Sequence, residues 1–414
     1  MPSPLSPATI AIVKATIPAL EAHGLAITRR MYERLFEDPA IRDLFNQSHH
    51  GETGSQPKAL ANAVLAYARN IDNLGALASA VERIAQKHVT LAILPAHYHA
   101  VADALLGAIR DVLGEAATPE IGAAWGEAYW FLADILIDRE AAIYHDHEAQ
   151  PGGWTGWRDV RIESVTIESE TIRSFVLVPV DGGPVLRHLP GQSLGIRFDL
   201  PGEGVPTRNY SVSCAPNDRS YRITVKREAT PGRPAGLVSS WLHDAAHPGM
   251  VLPIAAPAGD FVLDRASSAP VVLVSGGVGL TPMMSMLETL HAEAPERPTW
   301  YVHGALNGRV HAMAARARQF AAERPALRLH TVYEAPEATD RLGVDHDAIG
   351  RITPEWLVAH TPAAEATYYL CGPKPFLASL VHGLARLGVP AERIRYEFFG
   401  PADALVEEVP RVAA

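Results

Sequence analysis

His88 falls on an apolar helical stripe with Val81, Ile84 and Leu91, so its imidazole must be either hydrogen-bonded into a core or bound to a metal. Taken alone, the first is the commoner outcome. Two further polar groups share that predicament: Tyr98 lies on the stripe of Val101, Leu105, Ala108 and Val112, and Glu140 on that of Leu132, Leu136 and Ile143. Each requires a partner, and the plainest arrangement joins Tyr98 and Glu140 to each other. Upstream stand Tyr32, Phe45 and Gln56. From Gln56 to His88 is 32 residues, about the separation that sets two helices on opposite sides of a flat cofactor. A second chemistry is written in Gly276-Gly277-Val278-Gly279-Leu280-Thr281-Pro282, which follows an apolar strand and opens a helix. Such a turn offers backbone N–H groups and a helix N-terminus to a pyrophosphate, although a glycine cluster alone is weak evidence. Cys371 could be a nucleophile, but no His partner is adjacent in sequence. His49 and His50 in a Gly- and Ser-containing loop, and the run His145-Asp146-His147-Glu148, read as solvated surface more readily than as metal sites.

The elements that must hold these residues fall into three regions. Ile10, Val13, Ile17 and Leu20, after a candidate cap at Thr9, and Leu60, Val64, Tyr67, Ile71 and Leu74 recur at helical spacing, so residues 9–145 are expected to be helical throughout. The pattern stops in a polar stretch, residues 145–154, that holds Pro151-Gly152-Gly153 and reads as a linker. The period then becomes two: Leu194, Ile196, Phe198 and Leu200 alternate with Gly195, Arg197 and Asp199, as do Tyr221, Ile223 and Val225 with Arg222 and Thr224. That predicts an antiparallel sheet or small barrel. Beyond Ser267 the strands are continuously apolar (Val271-Val272-Leu273-Val274) and alternate with helices, the pattern of a parallel sheet covered on both faces.

Composition sets limits. A 48% hydrophobic, 20% charged chain is not disordered, and its net charge of -10 argues against a sequence-independent grip on nucleic acid. With only Cys214 and Cys371 there is no disulfide framework and no Cys-built metal site, which fits a reducing cytoplasm. The uncharged stretch 266–287 has the length of a membrane span, 22 residues, but Pro270, Gly276, Gly277, Gly279 and Pro282 divide it into strand, turn and helix start. No secretory signal is evident at the N-terminus.

Taken together, the helical region resembles a globin, and more narrowly the globin part of flavohaemoglobins. The resemblance implies His88, in Gln86-Lys87-His88, as the proximal ligand to haem b iron, with Lys87 beside it and Phe45 packing on the ring. Tyr32 and Gln56 would then lie on the open face, and Tyr98 and Glu140 behind the proximal imidazole. A carboxylate accepting the His N–H strengthens the electron push on the iron, which a simple oxygen carrier does not need. In the strand region, Arg208-Asn209-Tyr210-Ser211 follows Pro190-Gly191-Gln192 and precedes Gly236-Leu237-Val238-Ser239, an order that resembles the flavin barrel of the ferredoxin-NADP reductase superfamily. This implies Arg208 on the FAD pyrophosphate, Tyr210 stacked on the isoalloxazine and Ser211 facing the ring nitrogen that is reduced. Gln192, Asn209, Gly236, Val238 and Ser239 belong to the same implied site, the Gly-x-x-Ser stretch supplying backbone N–H groups to phosphate. Ser193 departs from the pattern, since flavohaemoglobins often have an aromatic residue there. For the coenzyme, Gly276, Gly277, Val278, Gly279, Thr281 and Pro282 are joined by Cys371, Gly372 and Pro373 and by Glu397 and Phe399 in Tyr396-Glu397-Phe398-Phe399-Gly400-Pro401. Phe399 would cover the flavin face that the nicotinamide takes over.

The expected architecture is therefore multidomain: an all-α globin (1–147), an antiparallel FAD-binding β-barrel (153–265), an α/β parallel-sheet NAD(P)-binding domain (266–402) and a C-terminal tail (403–414). The implied activity is nitric oxide dioxygenation, NO and O₂ to nitrate, with electrons passed from NAD(P)H through FAD to haem in a cytoplasmic monomer. A haem-based oxygen or redox sensor, a peroxide, lipid or ferric reductase on the same electron path, and a globin serving only as an interaction module are the alternatives. NADH is expected as the main coenzyme with appreciable NADPH use, because Arg309, after the second strand of the nucleotide domain, either pairs with a 2′-phosphate or is a solvated charge.

Overall fold

The computed structural model describes residues 4–45, 55–200, 202, 204–229, 232 and 234–399. His49, His50, Gly400, Pro401 and the tail 403–414 lie outside them. The helical spacing of the first region yields α1 (Pro7–Ala15), α2 (Ile17–Leu35), α3 (Pro39–Arg42), α4 (Ser55–Arg69), α5 (Ala78–Thr90), α6 (Pro95–Leu113) and α7 (Pro119–Glu148). Ser6 rather than Thr9 caps α1: the Thr9 N–H donates to Ser6 Oγ at 3.0 Å and Pro7 takes the first helical position, leaving Thr9 buried within the helix. The core joins Ile27, Met31, Tyr32 and Leu35 of α2 to Tyr67, Leu105, Ile109 and Trp125. Helix α5 buries Ala85, Val89 and Thr90, with His88 beside them on the same turn. The polar run 145–148 is not linker. It forms the last turn of α7, held there because Ile143 and His147 are buried on its inward face.

Six short strands build the second unit: β1 (Arg158–Ile167), β2 (Ile172–Pro179), β3 (Ser193–Arg197), β4 (Thr207–Ser211), β5 (Tyr221–Lys226) and β6 (Val251–Ile254), antiparallel in the order β4-β3-β6-β1-β2-β5. A bridge between Val212 and Ile223 joins the outer strands and closes the sheet on itself. Alternate residues point inward, so Leu194, Ile196, Tyr221 and Ile223 fill the interior with Phe198 and Leu200, which lie beyond the end of β3. Helix α8 (Leu237–Asp244) seals one side through Val238 and Leu242.

The third unit is a parallel sheet, β7 (Val271–Gly276), β8 (Thr299–Ala305), β9 (Leu327–Tyr333), β10 (Ala348–Ile349), β11 (Thr367–Cys371) and β12 (Ile394–Glu397), in the order β10-β9-β8-β7-β11-β12. It is covered by α9 (Leu280–Glu293), α10 (Ala314–Glu323), α11 (Pro354–His360) and α12 (Lys374–Arg386). Both faces of β7 are buried, Val271 and Leu273 against Met283 and Leu287 of α9, Val272 and Val274 against Leu377 and Leu380 of α12. The chain order reverses between β7 and β11, which opens a crevice at their carboxyl ends. Among the described residues no single helix is long and apolar enough to cross a membrane.

Candidate active site

Helices α5, α6 and α7 bring His88, Tyr98 and Glu140 into one hydrogen-bonded group. Glu140 Oε1 lies 2.7 Å from His88 Nδ1 and accepts the Tyr98 hydroxyl at 2.6 Å, while Tyr98 stands 3.1 Å from the same nitrogen. Glu140 is only 2% exposed. A carboxylate so enclosed must be satisfied, and an Nδ1–H and a phenol O–H supply its donors. The two arrangements open in the sequence, a Tyr–Glu pair and a carboxylate behind the imidazole, therefore coexist. Burial, then Glu140, raises the Tyr98 pKa, so Tyr98 stays a donor. With Nδ1 committed to the carboxylate, the tautomer leaves Nε2 as the basic nitrogen, which is the donor set a haem iron needs.

Tyr32, from α2, is buried and bonded to Gln56 of α4. Burial raises its pKa and Gln56 opposes the shift only in part, so the phenol keeps its proton. Tyr32, Phe36 and Phe45 form an aromatic group with centroids 5.5–5.6 Å apart. Phe45 is half-buried against the helical core.

Helix α5 also docks on the barrel. Asn209 Nδ2 donates to Thr90 Oγ1 at 2.9 Å and the Gly259 N–H to Gln86 Oε1 at 3.0 Å. A Cβ at Gly195 would lie 1.6 Å from the Thr90 carbonyl oxygen, so β3 and the end of α5 approach only because residue 195 is glycine. Lys87, next to His88, is open to solvent by surface area, yet enough protein surrounds its ammonium to lower its pKa, with Glu397 acting the other way. Glu397 reciprocates: burial and then Asp260 push its carboxyl up to about 8 against the pull of Lys87, and its Oε2 is buried without a partner.

Strand β4 sets out the four residues of the flavin motif. Arg208 donates to the Thr207 carbonyl at 2.8 Å and, among the described residues, is salt-bridged to no carboxylate. Burial lowers its pKa. A desolvated guanidinium with donors to spare fits a pyrophosphate. Tyr210 packs edge-on to Phe198, and Ser211 is buried. Gln192 holds the turn before β3, its Oε1 accepting the Leu189 N–H at 2.8 Å, and Ser193 Oγ reaches only the Ala258 carbonyl at 3.5 Å. In the Gly-x-x-Ser stretch the Gly236 N–H is already given to Glu228 O at 2.7 Å and Ser239 Oγ caps its own turn. The first-turn N–H groups of α8, those of Leu237 and Val238 among them, are the ones left for an anion.

At the carboxyl edge of the parallel sheet, Gly277 has φ +55° and a Cβ at Gly279 would fall 2.2 Å from the Cys371 carbonyl oxygen. The turn after β7 and the turn Cys371-Gly372-Pro373 after β11 thus touch backbone to backbone, a cradle that side chains would fill. Val278, Thr281 and Pro282 pack inward from it. Cys371 is fully buried and burial raises its pKa well above the ordinary thiol value, so it is no nucleophile. Phe399 is 46% exposed. Arg309 pairs through Nε with Glu337 at 2.7 Å and through Nη1 with Glu170 at 3.5 Å. Sequence reasoning passed over Thr90, Gln86 and Glu170 as contacts between units, because each is an ordinary polar residue locally.

Residues 29–136 match the Globin family, and residues 273–382 match the family described as Oxidoreductase NAD-binding domain. The chain is 51% identical over 403 residues to a Flavohemoprotein of Xylella fastidiosa (strain 9a5c), covering 97% of this chain and 99% of that protein. It is 47% identical over 399 residues to a Flavohemoprotein of Bordetella pertussis, covering 96% and 98%. Among solved structures, flavohemoglobin from Malassezia yamatoensis with bound FAD and heme aligns at TM-score 0.84 and 25% identity over 96% of this chain and all (100%) of that one. The flavohem-like FAD/NAD binding domain of nitric oxide dioxygenase from Vibrio cholerae aligns at TM-score 0.54 and 37% identity, covering 59% and 99%.

Proposed function

The chain belongs to the flavohaemoprotein family, and on that premise we propose that it is a nitric oxide dioxygenase, converting NO and O₂ to nitrate. It is an NAD(P)H-dependent flavohaem oxidoreductase with haem, FAD and NAD(P)H as cofactors. When bound, these groups supply two-electron reduction, its division into single electrons and one-electron reduction at iron. His88 would hold the iron, with Phe45 packing on the ring. Arg208, Tyr210 and Ser211 would hold FAD, and the turns 276–282 and 371–373 the coenzyme pyrophosphate and nicotinamide.

The observation that carries the proposal is the Glu140 carboxylate 2.7 Å from His88 Nδ1. Fixed in a buried site, it would orient the imidazole through Nδ1, the kind of outer partner that favours reductive chemistry at a haem iron over reversible carriage. Tyr32, protonated and bonded to Gln56, would supply an O–H donor to an oxygen substrate. Lys87 of the helical unit and Glu397 of the nucleotide sheet feel each other's charge across the boundary between those units. We take the units as 1–147, 153–265 and 266–402, and the chain as a monomer, since one chain carries residues for every step. Two cysteines with no disulfide between them suit a reducing cytoplasm. The test is to add NADH, O₂ and NO to the purified protein and measure nitrate formed per NO consumed. A ratio near one is expected, and NADH oxidation without nitrate would overturn the assignment.

A further inference from the structure

Helix α9 is fastened to the flavin barrel by a buried polar group that no step above uses. Glu288, 6% exposed, stands on α9 where that helix meets the barrel and α10. Its Oε1 accepts Arg222 Nη2 of β5 at 2.7 Å and Arg316 Nε of α10 at 2.5 Å, and its Oε2 accepts the Ala215 N–H at 2.9 Å. About one turn earlier on α9, Ser285 donates to the Cys214 carbonyl at 2.7 Å, and His188 Nε2 reaches that carbonyl at 3.0 Å. Arg222 closes the loop by donating to the Ser213 carbonyl. Burial opposes ionisation of Glu288, but Arg222 and Arg316 outweigh it and hold the carboxyl below its ordinary range, so Glu288 is an anion at neutral pH.

The position of this group in the chain gives it a consequence for electron transfer. Residues 213–215 follow directly on β4, the strand that carries Arg208, Tyr210 and Ser211. Helix α9 starts directly after the glycine turn that cradles the coenzyme, and Ser285 and Glu288 stand about 8–12 Å along it at 1.5 Å per residue. The polar group therefore joins the segment that follows the flavin strand to the helix that follows the coenzyme turn. The surrounding contact is apolar and non-directional, and by itself would let the two surfaces slide. A carboxylate that accepts three hydrogen bonds of defined direction does not slide. Buried ion pairs add little net stability over well-packed apolar residues, and their best-attested use is to fix register.

We propose that Glu288 is a positioning residue: with Arg222, Arg316 and the Ala215 N–H it sets the placement of the coenzyme turn against the flavin strand, and so the rate at which the nicotinamide reduces the flavin. The inference rests on the NAD(P)H-to-flavin path and is independent of what the haem finally oxidises. Because a misplacement of about 1 Å costs about 100-fold in rate, a register error smaller than that still shows.

The test uses the holoenzyme. In Glu288→Gln, flavin reduction by saturating NADH is expected to slow about 10–100-fold, with flavin content per chain and the NADH concentration for half-maximal rate unchanged. Amide hydrogen exchange in residues 213–220 should speed up in the same variant. Ser285→Ala, which removes one bond to Cys214, is the second variant: it should give a smaller slowing of the same kind and serves if Glu288→Gln does not fold. A wild-type reduction rate, exchange unchanged in 213–220, or slowing that merely tracks flavin loss would each overturn the proposal. Wild-type protein that fails to reduce flavin with NADH would overturn the electron path itself, a result distinct from a variant that matches an active wild type.

Discussion

Glu140 has the strictest surroundings of any residue near His88, since a buried carboxylate accepts from both an imidazole and a phenol. Glu140→Gln keeps the shape and an acceptor but removes the charge. Activity is expected to fall about 10–100-fold, the usual cost of losing an outer partner of a metal ligand. The iron–histidine stretch in resonance Raman should shift to lower frequency, and an unchanged stretch would separate Glu140 from the iron. If Tyr32 donates to dioxygen as proposed, Tyr32→Phe is expected to cost about 1.5–3 kcal/mol, or about one to two decades in equilibrium constant. Faster O₂ dissociation by flash photolysis is the check. For Glu397 the folded pKa of about 8 exceeds the ordinary carboxylate value of 4.5, so folding takes up a proton between those values. Stability from this group is present below the unfolded value and is lost as pH rises through about 8. Melting temperature should therefore drop from pH 6 to pH 9 more in wild type than in Glu397→Gln, and equal drops would show that Glu397 does not titrate as stated.

Between elements, the contact of α5 with β3 is the most exacting. The Thr90 carbonyl sits where a side chain on residue 195 would begin, and Asn209 and Gln86 tie the same surfaces together. Gly195→Ala must push α5 off the barrel by more than an ångström, since a Cβ 1.6 Å from an oxygen is not tolerated. Flavin reduction by NADH should survive, because the path from α9 to β4 is untouched. Electron passage from reduced flavin to haem should slow by about tenfold or more, as geometry at the contact is lost. Stopped-flow absorbance follows the two steps separately, and equal slowing of both would refute this division of labour.

Across the whole molecule, three units contribute to one electron path and their charges meet at the boundaries. Arg309, in the turn after β8, is held by Glu337 of its own unit and Glu170 of the barrel. A guanidinium between two carboxylates is a poor clamp for a 2′-phosphate, whose charge those carboxylates repel. The chain is expected to favour NADH, and Arg309→Ala to leave the NADH-to-NADPH ratio of kcat/KM unchanged within about twofold, because an exposed pair contributes about 0–1 kcal/mol. A ratio that moves tenfold toward NADH would show that Arg309 reads the phosphate after all. This narrows the earlier expectation of appreciable NADPH use.

The sequence by itself determined the local features: the switch from helical period to strand period, the continuous apolar run of β7, the glycine turn after it, and the polar residues His88, Tyr98 and Glu140 on otherwise apolar stripes. These are legible because backbone period and turn chemistry depend on neighbours a few residues apart. Family resemblance supplied the roles of Arg208, Tyr210 and Ser211. What the tertiary structure alone decided is which distant groups meet. Glu140 is 52 residues from His88, and Glu288 is 66 from Arg222. Whether such groups touch depends on packing angles between helices and barrel, to which no local pattern is sensitive. The same cause explains the misread linker, in which α7 kept its last polar turn because Ile143 and His147 found burial. Periodicity reports that a face is apolar, and only the packed neighbours decide how far round the helix the burial extends.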